Sequence, residues 1–363
     1  MELFSIRIQR TFQLVSTNKI MKSLPEYSSL DEKSQFFAQP NSNYPWVIET
    51  EAEFDSLYNI LCDEYNNCIK TGGEYLLFRG VCEAKYKTFT SAQRSWLTNE
   101  WKDTTPKGFL DYITSLLDAI KQNQNFKDFY KSLNVVPNDL LYLSLLQHYG
   151  APSPMLDFTH SLDMGLFFMI DGTTDIDTNS PTINQYFSLQ LLDTRAYKCH
   201  IVQLSEMLAS GISNAKEQVE QYESLHPNAT IDKSLIENID KMVKWHNPSN
   251  PGGDIKTLNI GILDYVNHNI VTDLKGNMLK WTNIRIVAQR GVLLLYTDID
   301  KSLEEFFSTE LKAPALRCFN IHKRLKDYIL KRIPFDRNKV YPSEESIVKD
   351  VAERTLNSLT VSQ

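Results

Sequence analysis

The chain has 363 residues, 42% hydrophobic and 23% charged, which suits a globular protein of one large or two ordinary domains and excludes a disordered chain. A formal charge of −7 excludes coating of nucleic acid or membrane through global charge, leaving only a local basic patch for such a role. Five scattered cysteines, Cys62, Cys68, Cys82, Cys199 and Cys318, form no C-x-x-C pair, so neither a disulfide framework nor a zinc site is expected.

The N-terminus, "MELFSIRIQRTFQLVST", has arginines and polar residues where a signal peptide needs an uninterrupted apolar core. The longest apolar runs, such as "MGLFFMI", are too short to span a bilayer. A cytoplasmic location with no membrane partner is therefore expected. Residues 1–45 are polar and aperiodic, and read as an N-terminal arm ahead of a domain over 46–363. From Thr50 the spacing of Phe54, Leu57, Tyr58, Leu61, Tyr65 and Ile69 predicts a helix ended by Thr71-Gly72-Gly73. "EYLLFRGV" follows as a short strand, delivering Arg79 and Gly80 at its end. Helices are predicted in "TPKGFLDYITSLLDAIKQ" and "PNDLLYLSLLQHYG", the second closed by Gly150 in a left-handed cap. Ala151-Pro152-Ser153-Pro154 cannot continue that helix, because proline lacks the N–H and restricts its predecessor. "MLDF" reads as a brief strand, and "THSLDMGLFFMID" as a helix capped by Thr159 or Ser161. Residues 172–275 are polar, include "HNPSNPGGD" and "CHIVQL", and read as an insertion. In "NIRIVAQRGVLLLYTD" the alternation of Ile284, Ile286 and Ala288 predicts a strand carrying Gln289, and "GVLLLY" one buried on both faces. "SEESIVKDVAERTLNSL" has the cap and acidic first turn of a terminal amphipathic helix.

Several residues invite a chemical reading. An arginine ending a buried strand is costly unless its planar fork meets a carboxylate or phosphate. Arg79 therefore contacts an anionic ligand or pairs structurally with an acid such as Asp157, and Gly80 lets a ligand or another backbone approach closely. Gln147, His148 and Tyr149 close a helix, where terminal carbonyls favour cations and raise the expected pKa of His148; they line a pocket or merely cap the turn. Asp157 orients Arg79 or caps the next helix, and Thr159 and Ser161 donate to a nucleotide or serve as N-caps. The basic stretch 312–339, interleaved with Phe319, Tyr328 and Phe335, suits nucleic acid or a solvated amphipathic helix.

Four stretches together resemble the FRG domain family: Phe78-Arg79-Gly80 in "LLFRGV", "LLQHYGAPSPMLDFTHSLDMGLFF", "NIRIVAQRGVLLL" and "FDRNKVYPSEESI". They bracket residues 46–358. A more distant resemblance is to ADP-ribosyltransferases, with "YLLFRG" similar to their first motif and "LDFTHSLDMGLFF" to their second. The resemblance implies an α+β fold, a small split mixed or antiparallel sheet surrounded by helices, interrupted by the large middle insertion. It implies an NAD-dependent transferase or NAD glycohydrolase, an intracellular toxin or phage-defence effector with a protein or nucleic-acid target and a partner protein of that system, using no metal. Arg79, Asp157 and Gln289 are then the catalytic candidates. Phe78, Arg79, Gly80, Gln147, His148, Tyr149, Thr159 and Ser161 are the candidates for holding NAD. Gln289 stands where such an enzyme places a carboxylate, so Asp157 or Asp298 must supply the charge, or the cleft is a noncatalytic nucleotide-sensing or protein-interaction module.

Overall fold

A computed structural model of the chain describes residues 23–38, 45–71, 73–99, 108–173, 182–195, 216–227, 233–234, 237, 264–266, 269–273, 278–281, 284–312, 315–335 and 337–342. Its strands are β1 (Val47–Ile48), β2 (Leu76–Val81), β3 (Val135–Val136), β4 (Met155–Thr159), β5 (Tyr186–Asp193), β6 (Asp264–Val266), β7 (Asn269–Asp273), β8 (Met278–Trp281), β9 (Gly291–Leu295) and β10 (Leu316–His322). The α-helices are α1 (Leu30–Ser34), α2 (Glu51–Lys70), α3 (Ser91–Thr98), α4 (Phe109–Gln122), α5 (Gln124–Ser132), α6 (Asp139–His148), α7 (Leu162–Ile170), α8 (Ile284–Ala288), α9 (Leu303–Phe306), α10 (Lys326–Arg332) and α11 (Arg337–Val340). The fold is α+β. Seven strands form one open sheet in the order β1-β10-β5-β2-β4-β9-β6, mixed because β1 joins β10 in parallel while the other pairs are antiparallel. The order β3-β7-β8 makes a second, smaller sheet.

Local chemistry explains the elements around the site. Thr50 and Glu53 form a capping box that starts α2, and its apolar stripe of Phe54, Leu57 and Leu61 packs in one core with Phe78, Phe187 and Phe319. Asn138 caps α6 by accepting from Leu141 N, and Gly150 beyond its end adopts φ +74°, the left-handed geometry expected of it. Ser161, not Thr159, caps α7 by accepting from Met164 N. Helix α7 lies directly on β2: a Cβ at Gly80 would stand 2.1 Å from Met169 N and 2.3 Å from Gly165 O. Glycine is thus required at position 80 by a helix backbone, the second of the two reasons open from sequence.

The structure corrects three expectations. Ile284–Ala288 is helix α8, not a strand, and the chain turns at Gln289–Arg290, with Arg290 at φ +45°, before β9 begins at Gly291. Five residues cannot distinguish period 2 from period 3.6 securely, and tertiary packing of Ile286 decides for the helix. Strand β5 falls inside the segment read as an insertion, yet it is buried along its length between β10 and β2. Its polar members Ser188 and Gln190 mask an otherwise apolar run; both are fully buried, with Gln190 Nε2 donating to Thr88 Oγ1 at 2.8 Å. Residues 23–38, read as part of an arm, pack into the domain with Tyr27, Lys33 and Phe37 buried. "CHIVQL", "HNPSNPGGD" and the terminal helix at 343–359 lie outside the described residues.

Candidate functional site

Strands β2 and β4 share one register pair, Phe78 with Thr159. Beyond it β2 follows β5 as far as Val81 while β4 follows β9, so the sheet forks at Arg79. Arg79 Nη1 donates to the Asp157 carbonyl at 2.5 Å, satisfying a group that the parting strands leave without a ladder partner. Its guanidinium lies 5.9 Å from the Phe158 ring centroid, and its Nε is buried with no hydrogen-bond partner. Burial draws the Arg79 pKa below the ordinary arginine value, opposed by the negative charge of Asp157.

The Asp157 carboxylate does not close on Arg79. Its Oδ2 accepts from Gln147 Nε2 at 2.5 Å, placing the end of α6 beside the fork. Solvent reaches the Asp157 side chain, yet enough protein crowds it that burial raises its pKa, opposed first by Arg79 and then by Gln147. A second arginine, Arg94 on α3, stands within electrostatic reach of both Arg79 and Asp157. Its Nη1 donates to the Phe89 carbonyl at 3.0 Å, and burial followed by the like charge of Arg79 lowers its pKa. Sequence reading missed Arg94. It lies in "SAQRSWL", an ordinary charged position on a capped helix, and only its electrostatic reach to Arg79 and Asp157 in the fold sets it apart.

Beside Asp157, a recess of about 20 Å³ is lined by Asp157 itself, His148, Phe168, Ile286 and Gln289, among others. That space matches one or two water molecules, not an aromatic base. His148 corrects the sequence expectation: its pKa is pushed down to about 4, because burial and then the positive charge of Arg285 outweigh the helix terminus. It is neutral near pH 7.

The other candidates serve the scaffold. Phe78 is fully buried in the core, which removes it from any ligand surface. Gly80 is covered by α7. Thr159 is fully buried, with Oγ1 donating to the Gln289 carbonyl at 2.7 Å and accepting from Ser161 N. Ser161 is the N-cap already described, and Tyr149 is 60% exposed with its ring edge-on to His148. Gln289 lines the recess, but its Nε2 donates to the Val340 carbonyl at 3.0 Å, tying the turn after α8 to α11. Asp298 caps its own loop by accepting from the backbone of Asp300 and Lys301. Where described, the basic stretch from Lys312 is not one solvated amphipathic helix but strand β10 followed by α10 and α11, with its charges paired to acids: Arg317 to Glu64, the buried Lys323 to Glu83, Arg324 to Glu49 and Arg332 to Asp55, while Phe319 is core. Among the described residues no helix is long and apolar enough to cross a membrane, and no group of three His, Cys, Asp or Glu is placed to hold a metal ion.

The family model of the FRG domain matches residues 74–178, so the FRG likeness is supported over the segment that carries Arg79, Arg94, Gln147, His148 and Asp157. No curated protein and no solved structure matches the chain.

Proposed function

We propose that the forked cleft binds NAD and cleaves its bond to nicotinamide, as an ADP-ribosyltransferase-type enzyme does, with Asp157 as the carboxylate. The observation that carries the reading is the meeting of a partly unpartnered guanidinium and an independently held carboxylate at one fork. NAD has complementary charges: an anionic diphosphate for Arg79 and a cationic nicotinamide ring for Asp157. As the glycosidic bond lengthens its electron pair leaves with nicotinamide, and the carboxylate stabilises the positive charge developing on the ribose. The bond formed in exchange is to an acceptor oxygen, whose proton passes to Asp157, a carboxylate made more basic by burial. A recess the size of a water beside Asp157 supports water as that acceptor, hence glycohydrolase chemistry, over a bulky protein or nucleic-acid target.

The test is nicotinamide release from NAD by the full chain, together with calorimetric titration of NAD. Asp157→Asn is expected to lower release at saturating NAD by about 100-fold or more, with a much smaller loss of binding, because the amide keeps the shape and removes the charge that faces the nicotinamide ring. Release by D157N at the wild-type rate would sink the assignment. One observation favours a second reading: Gln147 occupies the Asp157 carboxylate at 2.5 Å. A noncatalytic nucleotide sensor accommodates this engagement, and NAD binding by wild type with no release would select it.

A further inference from the structure

We propose that Gln147, backed by Ser91, is a positioning residue for Asp157: its amide takes one carboxylate oxygen and so fixes the oxygen that is left to act. The role rests on the reading above for its reaction, whereas the orientation itself follows from hydrogen bonds.

Gln147 Nε2 donates to Asp157 Oδ2 at 2.5 Å, a short, charge-assisted bond. It decides which way the amide faces, because the flipped amide would set its own oxygen against the carboxylate. The amide oxygen then turns to Ser91, whose Oγ lies 3.4 Å from Gln147 Oε1, a long contact. Ser91 is itself fixed. Its Oγ accepts from Ser153 N at 2.9 Å, and Ser153 is fully buried, with its own Oγ donating to the Leu143 carbonyl at 3.0 Å. Ala92 N donates back to the Ser153 carbonyl at 3.1 Å, so the turn 151–154 joins the start of α3 to the end of α6. That turn does more than stop α6: it braces the amide that holds Asp157. Solvent reaches the Asp157 side chain, and an unheld carboxylate there would rotate and spread its charge over several directions. Among the described residues Oδ2 is the oxygen with a side-chain donor, which leaves Oδ1 for the developing positive charge and for the proton of the acceptor.

Two readouts separate positioning from packing. One is carbon-13 NMR titration of the Asp157 carboxyl in the aspartate-labelled full chain, assigned with D157N; the other is the pH profile of nicotinamide release at saturating NAD. The amide favours the ionised carboxylate, so Gln147→Leu is expected to raise the carboxyl midpoint by about one pH unit or more and to move the acid limb of release with it. Release on the plateau falls by about tenfold, with the KM for NAD within about twofold of wild type. Gln147→Glu sets a second carboxylate beside the first, so the two share a proton and the limb moves further in the same direction. Ser91→Ala moves it the same way by less, because its contact is long. Ser153→Ala is the packing control: it removes the hydroxyl on the Leu143 carbonyl but keeps the N–H on Ser91, so stability falls and the midpoint stays. The other charged or titratable groups near the carboxylate are Arg79 on β2, Arg94 on α3, Tyr341 after α11 and His148 in the same recess, and all four are present in every variant. An unmoved midpoint in Q147L, or an equal shift in S153A, overturns the positioning role. The two proposals fail separately. A raised midpoint in Q147L with no nicotinamide release by wild type leaves Gln147 as the residue that holds the carboxylate and removes the NAD-cleaving reading, whereas release whose acid limb Q147L leaves in place does the reverse.

Discussion

Arg79 and Gly80 are adjacent, yet strand alternation sends them to opposite faces of β2. Gly80 admits α7 so closely that an alanine Cβ would meet two backbone atoms of the helix at 2.1 and 2.3 Å, and backbone cannot rotate aside as a side-chain tip can. Gly80→Ala is therefore expected to destabilise by about 3 kcal/mol or more and to lower the melting temperature by roughly 6 °C or more. A melting temperature within 1 or 2 °C of wild type, roughly the shift of half a kcal/mol, would mean that α7 rides less closely on β2. His148 gives a second prediction at this scale. Its folded pKa of about 4 lies below the ordinary value of 6.5, so its neutral form stabilises the fold fully above pH 6.5 and that contribution is lost as pH falls toward 4. His148→Asn should flatten stability against pH across that window, by up to about 2 kcal/mol after allowance for solvent screening. Urea unfolding at pH 7, 5.5 and 4.5 measures it, and parallel curves for the two proteins would contradict the burial of the ring.

At the scale of elements, legibility followed the length of the signal. Helix α2 was readable because a capping box and several apolar positions agree, and the end of α6 because Gly150 is the residue a left-handed cap demands. Strand β5 was not, because Ser188 and Gln190 are core residues whose partners come from elsewhere in the chain. The fork was half legible. Arg79 and Asp157 stand out as charges among apolar neighbours, while Arg94 does not, since nothing local separates a site arginine from a solvated one. Gln289 shows the same limit in reverse: placed on a strand from its alternating neighbours, it occupies a turn and spends its amide on Val340 of α11. Gln289→Glu restores the carboxylate that the ADP-ribosyltransferase likeness leads one to want, but it sets one acceptor against another. The expected result is a loss of about 1–3 kcal/mol in stability with no gain in nicotinamide release. Faster release by Q289E would return the catalytic assignment to position 289.

Across the whole molecule, distant segments are joined by buried polar groups more than by sequence neighbours. Lys33 on α1 is 0% exposed, and its ammonium donates to Ala84 O at 2.9 Å, Ser188 Oγ at 2.7 Å and Asn320 Oδ1 at 3.1 Å. These three acceptors belong to the loop after β2, to β5 and to β10, so one side chain from residues 23–38 fastens three parts of the sheet layer. All three of its donors are used, and the rings of Tyr27 and Phe37 lie within 6 Å, at 5.9 and 5.7 Å. Close by in the chain, the Tyr27 hydroxyl donates to the buried Glu304, which also accepts from Thr88 N, so the same segment reaches the approach to α3 that carries Arg94. Lys33→Ala removes the charge and its stem together, leaving buried acceptors without a donor, and is expected to cost about 3–5 kcal/mol, a large share of an ordinary domain's stability. Lys33→Met keeps the apolar stem against Phe37 and should cost less, about 1–3 kcal/mol. Urea unfolding of both variants measures the ranking. K33M, still folded at low temperature, is expected to keep the NAD affinity of wild type, because Lys33 bonds the frame and none of the groups at the fork. Equal stability of K33A and wild type would contradict the fastening role, and a loss of NAD binding in folded K33M would show that the frame and the fork are coupled.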